Sequence, residues 1–258
     1  MSEAAVSDTA LPAATVIIAR DGAMGLEILA IERARTMGFA GGAMAFPGGK
    51  VDPADAIDPA APQLAGFGGL EPADAAARIS AAREAFEEAG ILLSEGPPVP
   101  AAERARLRAL SDSHAIGFGE LLAAIGHRLD AAQLIPFARW MPPLQLGGGA
   151  GKRFDTRFYL AALPPDEAHA ADGHEAVSAR FLRPQDLLAE AEAGHASLLF
   201  PTLCNVQRLA QFDSTAALLA DETPPPYIET AMADGWLTIP EGVGYPVTRM
   251  SVDAARRL

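Results

Sequence analysis

Arg83-Glu84-Ala85-Phe86-Glu87-Glu88-Ala89-Gly90-Ile91-Leu92 is the stretch around which this chain is organised. Read as a helix, it puts Glu84, Glu87 and Glu88 at i, i+3 and i+4, so the three carboxylates share one face. Like charges at these spacings repel, weakening an isolated helix by about 0.2–0.5 kcal/mol per pair. Such a face calls for a positive partner, and a hard divalent cation with a preference for oxygen ligands would turn the repulsion into coordination. Ala82, Ala85, Phe86 and Ala89, on the opposite face, are small or apolar and suited to packing on a sheet. Gly90 predicts the helix stop, and Ile91-Leu92-Leu93 reads as a strand beyond it. The competing interpretation is a solvated acidic helix face, which is what most short charge runs are.

The upstream stretch Phe46-Pro47-Gly48-Gly49-Lys50-Val51-Asp52-Pro53-Ala54-Asp55 decides between the two. Paired glycines let a backbone approach closely and adopt positive φ, which is useful where a chain curls around a phosphate or metal site. Together the two stretches resemble the signature of the Nudix hydrolases, in which a glycine and an acid precede Arg-Glu-hydrophobe-x-Glu-Glu-x-Gly-hydrophobe. Gly49 matches the glycine, and Arg83 to Ile91 match the second half at every defined position. Two features depart from the pattern. Asp55 stands where the family has Glu, and residues 56–82 fill what is a short spacer elsewhere. Such an interrupted box resembles the branch containing the peroxisomal coenzyme A diphosphatases and their bacterial relatives.

The resemblance implies an α/β fold, a Nudix-type α/β/α sandwich with a mixed sheet. It also implies metal-dependent hydrolysis of the pyrophosphate bond in a nucleoside diphosphate linked to another group. Glu84, Glu87 and Glu88 would hold Mg²⁺ or Mn²⁺, with Asp55 as an accessory metal ligand. Arg83 would orient its neighbouring glutamates by ion pairing. One of the carboxylates, or Glu175 ahead of a later strand, would accept the proton of the attacking water. Coenzyme A or acyl-CoA heads the substrates, with NADH, ADP-ribose and nucleotide sugars as alternatives. The rival of another class is a catalytically silent nucleotide-binding module that regulates a partner.

Strands are expected at 14–20, 26–33, 43–46, 134–141, 153–162 and 176–182, where β-branched and aromatic runs alternate or lie between turn residues. The turn Pro47-Gly48-Gly49 is expected to end the third. Residues 52–72, rich in Pro, Ala, Gly and Asp, predict an irregular surface insertion within the box. The helix of the opening stretch is expected from residue 75, with Asp74 as its cap. Amphipathic helices over 101–110 and 118–125 form a helical insertion at 96–130, placed by the resemblance near the cleft. In the strand over 153–162, Arg153, Asp155, Arg157 and Tyr159 share a face. Arg153 or Arg157 there is a candidate phosphate grip, and Gly48 and Gly49 complete the expected substrate-binding set. Gly147-Gly148-Gly149-Ala150-Gly151 reads as a flexible loop. Residues 195–258 read as a helical and extended appendage on a single domain, and 1–12 as a disordered lead-in.

Composition narrows the field further. The 258 residues carry a formal net charge of −13, which argues against nonspecific nucleic-acid binding because phosphate-backbone affinity needs Lys and Arg. No apolar run reaches the roughly 18–20 residues that span a membrane, and no secretory signal is legible. A lone Cys204 excludes an internal disulfide and a cysteine-based metal cluster, and a cytoplasmic location is the simplest expectation. His114 and His127 read as surface or satisfied histidines rather than ligands. The tail over 227–250 is compatible with homodimer contacts without requiring them.

Overall fold

The computed structural model describes residues 10–36, 40–143, 153–164 and 169–255. Its frame is one mixed sheet. The strands are β1 (Leu11–Gly22), β2 (Gly25–Arg33), β3 (Met44–Ala45), β4 (Gly48–Lys50), β7 (Ile135–Met141), β8 (Phe154–Ala162), β9 (Ala176–Leu182) and β10 (Tyr227–Glu229). They run in the order β10-β7-β8-β1-β2-β3, with β4 also beside β1 and β9 beside β2. β1 is the central strand. It runs parallel to β8, with Ala14 opposite Arg157, and antiparallel to β4, with Ala14 opposite Gly49.

The run Ala14-Thr15-Val16-Ile17-Ile18-Ala19 is apolar without alternation because both faces of β1 are covered. Val16 and Ile18 pack with Ala82, Ala85, Phe86 and Ala89 of α1 (Pro72–Ala89). Ile17 and Ala19 point the other way, into a second core with Trp140, Phe158, Leu203 and Val206. The helices α4 (Pro184–Glu192), α5 (Phe200–Leu209) and α6 (Thr215–Leu219) supply the rest of that layer. The result is the expected helix–sheet–helix sandwich. Cys204 lies fully buried in the second layer as a small hydrophobe.

Several expectations are corrected. Gly48–Lys50 do not end the third strand; the chain bends at Phe46-Pro47 and re-enters the sheet as β4 against β1. Ile91-Leu92-Leu93 is not a strand. These residues are buried in the α1-side core without ladder partners, and the Ile91 N–H closes the helix by donating to the Ala85 carbonyl at 3.1 Å. Asp74 is not the cap of α1, since Pro72 begins the helix after Glu71. Asp74 instead pairs with Arg78 at 2.9 Å and accepts the Tyr159 hydroxyl at 2.7 Å. Leu11 and Pro12 are not a disordered lead-in, because β1 already starts at Leu11 and Pro12 accepts the Val51 N–H. Residues 1–9 of that lead-in, and the glycine-rich stretch 147–151, lie outside the described residues.

The insertion at 52–72 is less irregular than its composition predicts. A 3₁₀ turn covers Pro53–Asp55, and β5 (Leu64–Ala65) pairs in parallel with β6 (Leu129–Asp130), at the end of the second insertion. That second insertion supplies α2 (Ala101–Asp112) and α3 (Phe118–Ile125). Phe67 and Leu64 sink into the α1-side core at 1% and 4% exposure. Burial of apolar side chains, rather than loop propensity, decided this segment's path. Of the two histidines, His127 is satisfied by Ser94 and the Pro97 carbonyl, and His114 is exposed. The tail packs on the body as read: besides β10 it forms a small antiparallel sheet of Ala231–Ala233, Trp236–Thr238 and Arg249–Ser251. No helix among the described residues is long and apolar enough to cross a membrane.

If the insertion is part of the core, Phe67→Ala should cost about 3–5 kcal/mol in urea unfolding. A surface loop would register a change within about 0.5 kcal/mol.

Candidate active site

The acidic face of α1 is not solvated. Glu84 and Glu88 are 8% and 3% exposed, and Arg83 beside them is 8% exposed. Gly90 ends the helix in the left-handed region at φ 70°, a conformation that a Cβ would strain. The sequence thus folds the glutamates into the last turns of a helix pressed against the sheet.

Arg83 is the hub. Its Nε and Nη2 donate to the two carboxylate oxygens of Asp55 at 3.0 and 3.1 Å. Its Nη1 donates to Glu84 Oε1 at 2.9 Å and to Glu87 Oε2 at 2.7 Å, and Nη2 also reaches the Lys50 carbonyl. Burial alone would lower the pKa of this guanidinium, but the Asp55 hydrogen bond and the surrounding carboxylates raise it, so it stays charged. The long insertion therefore does not separate the two halves of the motif in space.

Asp55, expected as an accessory metal ligand, is differently employed. Both its oxygens bind Arg83, one also accepts the Asp52 N–H at 2.8 Å, and the side chain is 1% exposed. Glu87 likewise has both oxygens engaged, one by Arg83 and the other by the Ser111 hydroxyl at 2.6 Å. Glu84 and Glu88 differ. Glu84 Oε1 is held by Arg83 and Glu88 Oε2 by the Gly48 N–H at 2.8 Å, leaving Glu84 Oε2 and Glu88 Oε1 without hydrogen-bond partners among the described residues.

Both glycines are required by close approach, not by positive φ. A Cβ on Gly49 would lie 2.3 Å from Glu84 Oε1, and one on Gly48 would lie 2.5 Å from Thr15 Oγ1. Burial pushes the Glu84 carboxyl up to about 7, with Arg83 pulling it down and Glu87 and Glu175 adding to the rise. Burial and the Glu84 charge hold Glu88 well above the usual range against the opposing Gly48 N–H and Arg33.

Glu175 is exposed just ahead of β9. Asp172 fixes its backbone by accepting the Glu175 N–H at 2.7 Å, and its charge acts on both buried glutamates. Arg153 and Arg157 are not brought into this cluster. Arg153 donates to the Pro142 carbonyl and faces Glu229 at 3.8 Å. Arg157 lines a cavity of about 280 Å³ with Asp74, Arg139, Tyr159 and Tyr227, none of them a cluster member. Two residues were missed by sequence reasoning. Ser111 and Arg108 come from α2 and carried no motif. Arg33 ends β2, and its buried Nε has no hydrogen-bond partner among the described residues.

Among the described residues no three His, Cys, Asp or Glu side chains form a ready-made metal cage. Two buried carboxylates with one open oxygen each nevertheless fit a hard divalent ion. Mg²⁺ in particular uses one or two carboxylates and completes its shell with water and substrate phosphates.

Residues 60–209, more than half of the chain, match the family model described as the NUDT19 Nudix domain. The chain is a member of the Nudix hydrolase family. This Nudix chain is 29% identical over 273 residues to the acyl-coenzyme A diphosphatase NUDT19 of Gallus gallus, an alignment spanning 84% of this chain and 71% of the relative. The Homo sapiens protein of the same name is 29% identical over 244 residues, covering 76% of this chain and 64% of its own length. Among solved structures it is similar to a Nudix hydrolase from Alicyclobacillus acidocaldarius, with TM-score 0.69 and 27% identity over 81% of this chain and 95% of that one. The family match starts after Gly48, Gly49 and Asp55, and their contacts with Arg83, Glu84 and Glu88 are what join them to it.

The raised carboxyls make stability depend on pH. Without metal, folding favours the protonated form. This contribution is complete below the unfolded pKa of about 4.3 and is lost as pH rises through about 7 for Glu84. A bound cation needs the ionised form and so displaces protons. The rise in Tm on adding excess Mg²⁺ should therefore be larger at pH 8 than at pH 6. Glu88→Gln should raise the metal-free Tm at pH 8 more than at pH 5 and remove most of the Mg²⁺ effect. Thermal melts across pH check both, and equal Mg²⁺ effects at the two pH values would contradict the assignment.

Proposed function

We propose that this Nudix pyrophosphohydrolase cleaves the diphosphate of coenzyme A or an acyl-CoA, giving the phosphopantetheine half and adenosine 3′,5′-bisphosphate, with Mg²⁺ or Mn²⁺. The observation that carries this reading is the pair of buried glutamates one turn apart, each with an open oxygen, on the helix that matches the NUDT19 Nudix domain. The substrate class is supported by the curated relatives, which are named acyl-coenzyme A diphosphatases.

In this reading Glu84 and Glu88, each with one carboxylate oxygen that no described residue engages, would hold the divalent ion. The ion would neutralise charge on the phosphoryl oxygens and lower the pKa of water. The remaining work falls to the chain. Arg83 keeps Glu84 and Glu87 apart and oriented, and Asp55 is a positioning residue that locks Arg83 through two hydrogen bonds. The Gly48 N–H holds Glu88, and Gly49 leaves room for Glu84. Glu175 is the assigned proton acceptor, because no described residue hydrogen-bonds its carboxylate whereas both oxygens of Glu87 are taken. As the bond between water oxygen and phosphorus forms, the bridging P–O bond breaks. The water's proton passes to Glu175 and the departing phosphate keeps the electron pair.

A panel of coenzyme A, acyl-CoAs, NADH, ADP-ribose and nucleotide sugars, incubated with Mg²⁺ or Mn²⁺ and analysed by mass, tests the proposal. The expected products are the two halves of coenzyme A, with no turnover after chelation. Glu175→Gln should lower kcat by roughly 10²–10⁴-fold with little change in KM. Preferred cleavage of another diphosphate would replace the substrate, and an unchanged Glu175→Gln would return the base to the other carboxylates.

A further inference from the structure

α2 lies outside the Nudix signature, yet one face of it is built against the C-terminal end of α1. Arg104, Arg108 and Ser111 stand at i, i+4 and i+7, one side of a helix. Arg104 Nη1 donates to the Gly90 carbonyl at 3.3 Å, and Arg108 Nε donates to the Glu87 carbonyl at 2.7 Å. The last carbonyls of a helix lack intrahelical donors and carry the negative end of its dipole, so two guanidinium groups suit them. Arg108 is also tied to the Ala170 carbonyl at 2.8 Å, which anchors α2 to the segment leading to Glu175.

Ser111 goes beyond capping. It is 1% exposed, and its hydroxyl donates to Glu87 Oε1 at 2.6 Å while Arg83 Nη1 holds Oε2 at 2.7 Å. The same Nη1 serves Glu84 Oε1 at 2.9 Å. Glu87 and Glu84 therefore share one donor, and where Glu87 sits decides how firmly Arg83 orients Glu84. Without the hydroxyl, Oε1 would lose its partner in a partly buried site, and the carboxylate would turn toward Arg83 or toward the cation.

We propose that Ser111 is a positioning residue of the hydrolytic site. It pins Glu87 from the inserted helix so that Glu84 and Glu88 keep the geometry that receives the divalent ion. The inference rests on the metal-dependent reading above and deepens it: α2 is a working wall of the active site.

The test compares the full-length protein with Ser111→Ala, Ser111→Thr and Ser113→Ala. Mn²⁺ affinity of the metal-free protein is measured by titration, alongside kcat and KM for coenzyme A and the Tm. Outer-shell partners of metal-holding groups typically account for roughly 10–100-fold in metal affinity or activity. Ser111→Ala should therefore weaken Mn²⁺ binding and lower kcat in that range while KM holds. Ser111→Thr should restore both. Ser113, whose hydroxyl bonds its own helix at the Ala109 carbonyl, should be silent. Should the alanine variant not fold, Ser111→Cys, equal in size and a poor donor, carries the same expectation. A lower Tm with intact Mn²⁺ affinity and kcat per folded molecule would reduce Ser111 to a packing contact and overturn the proposal. Wild-type protein that binds no Mn²⁺ and cleaves no diphosphate would overturn the parent reading, and this inference with it.

Discussion

The structure depends on one buried guanidinium. Arg83 spreads its donors over Asp55, Glu84, Glu87, the Lys50 carbonyl and the Ser80 hydroxyl while 8% exposed. Arginine alone has the planar fork for this, since a lysine offers one compact charge. Removing one member of a buried ion pair leaves an uncompensated charge that costs about 3–5 kcal/mol. The carboxylates and Arg83 are thus mutually required, and their network ties β4, the 3₁₀ turn and α1 into one unit. That network also explains how residues 56–82 can interrupt the motif. The insertion leaves and returns between two points already joined by Arg83 and Asp55.

One guanidinium cannot balance Asp55, Glu84, Glu87 and Glu88 together. The residual repulsion is concentrated on Glu84 and Glu88, the two acids with an open oxygen, and burial raises both carboxyls. A site with surplus buried carboxylate is poised to take up a cation. In the proposed reaction it would then accept an anionic diphosphate even though the chain's formal net charge is −13, because the local charge, and not the sum, sets the potential where phosphates lie.

The two insertions complete the enclosure. Phe67 and Leu64 from the first and Leu107, Phe118, Leu121 and Leu122 from the second join the core that α1 shares with the sheet. This is why α1 is buried on nearly every side, although an acidic face on a lone helix would seek water. Rigid surroundings of this kind hold carboxylates close together despite their repulsion, since packed side chains leave them few rotamers to escape into.

Beyond the sandwich that the family resemblance implied, the sequence by itself determined the glutamate-bearing helix, its stop and the central strands. These are local matters of side-chain period, backbone freedom and like charges at helical spacing, so they are written in neighbouring residues. The tertiary structure alone decided that Asp55 serves Arg83, that Arg153 and Arg157 stand apart from the carboxylates, and that Gly48–Lys50 pair with β1. It also decided that Ser111 and Arg108 reach Glu87 from a distant helix. Each of those contacts joins residues far apart along the chain. Their geometry is set by which apolar faces must be buried together, and no local pattern of residues encodes that.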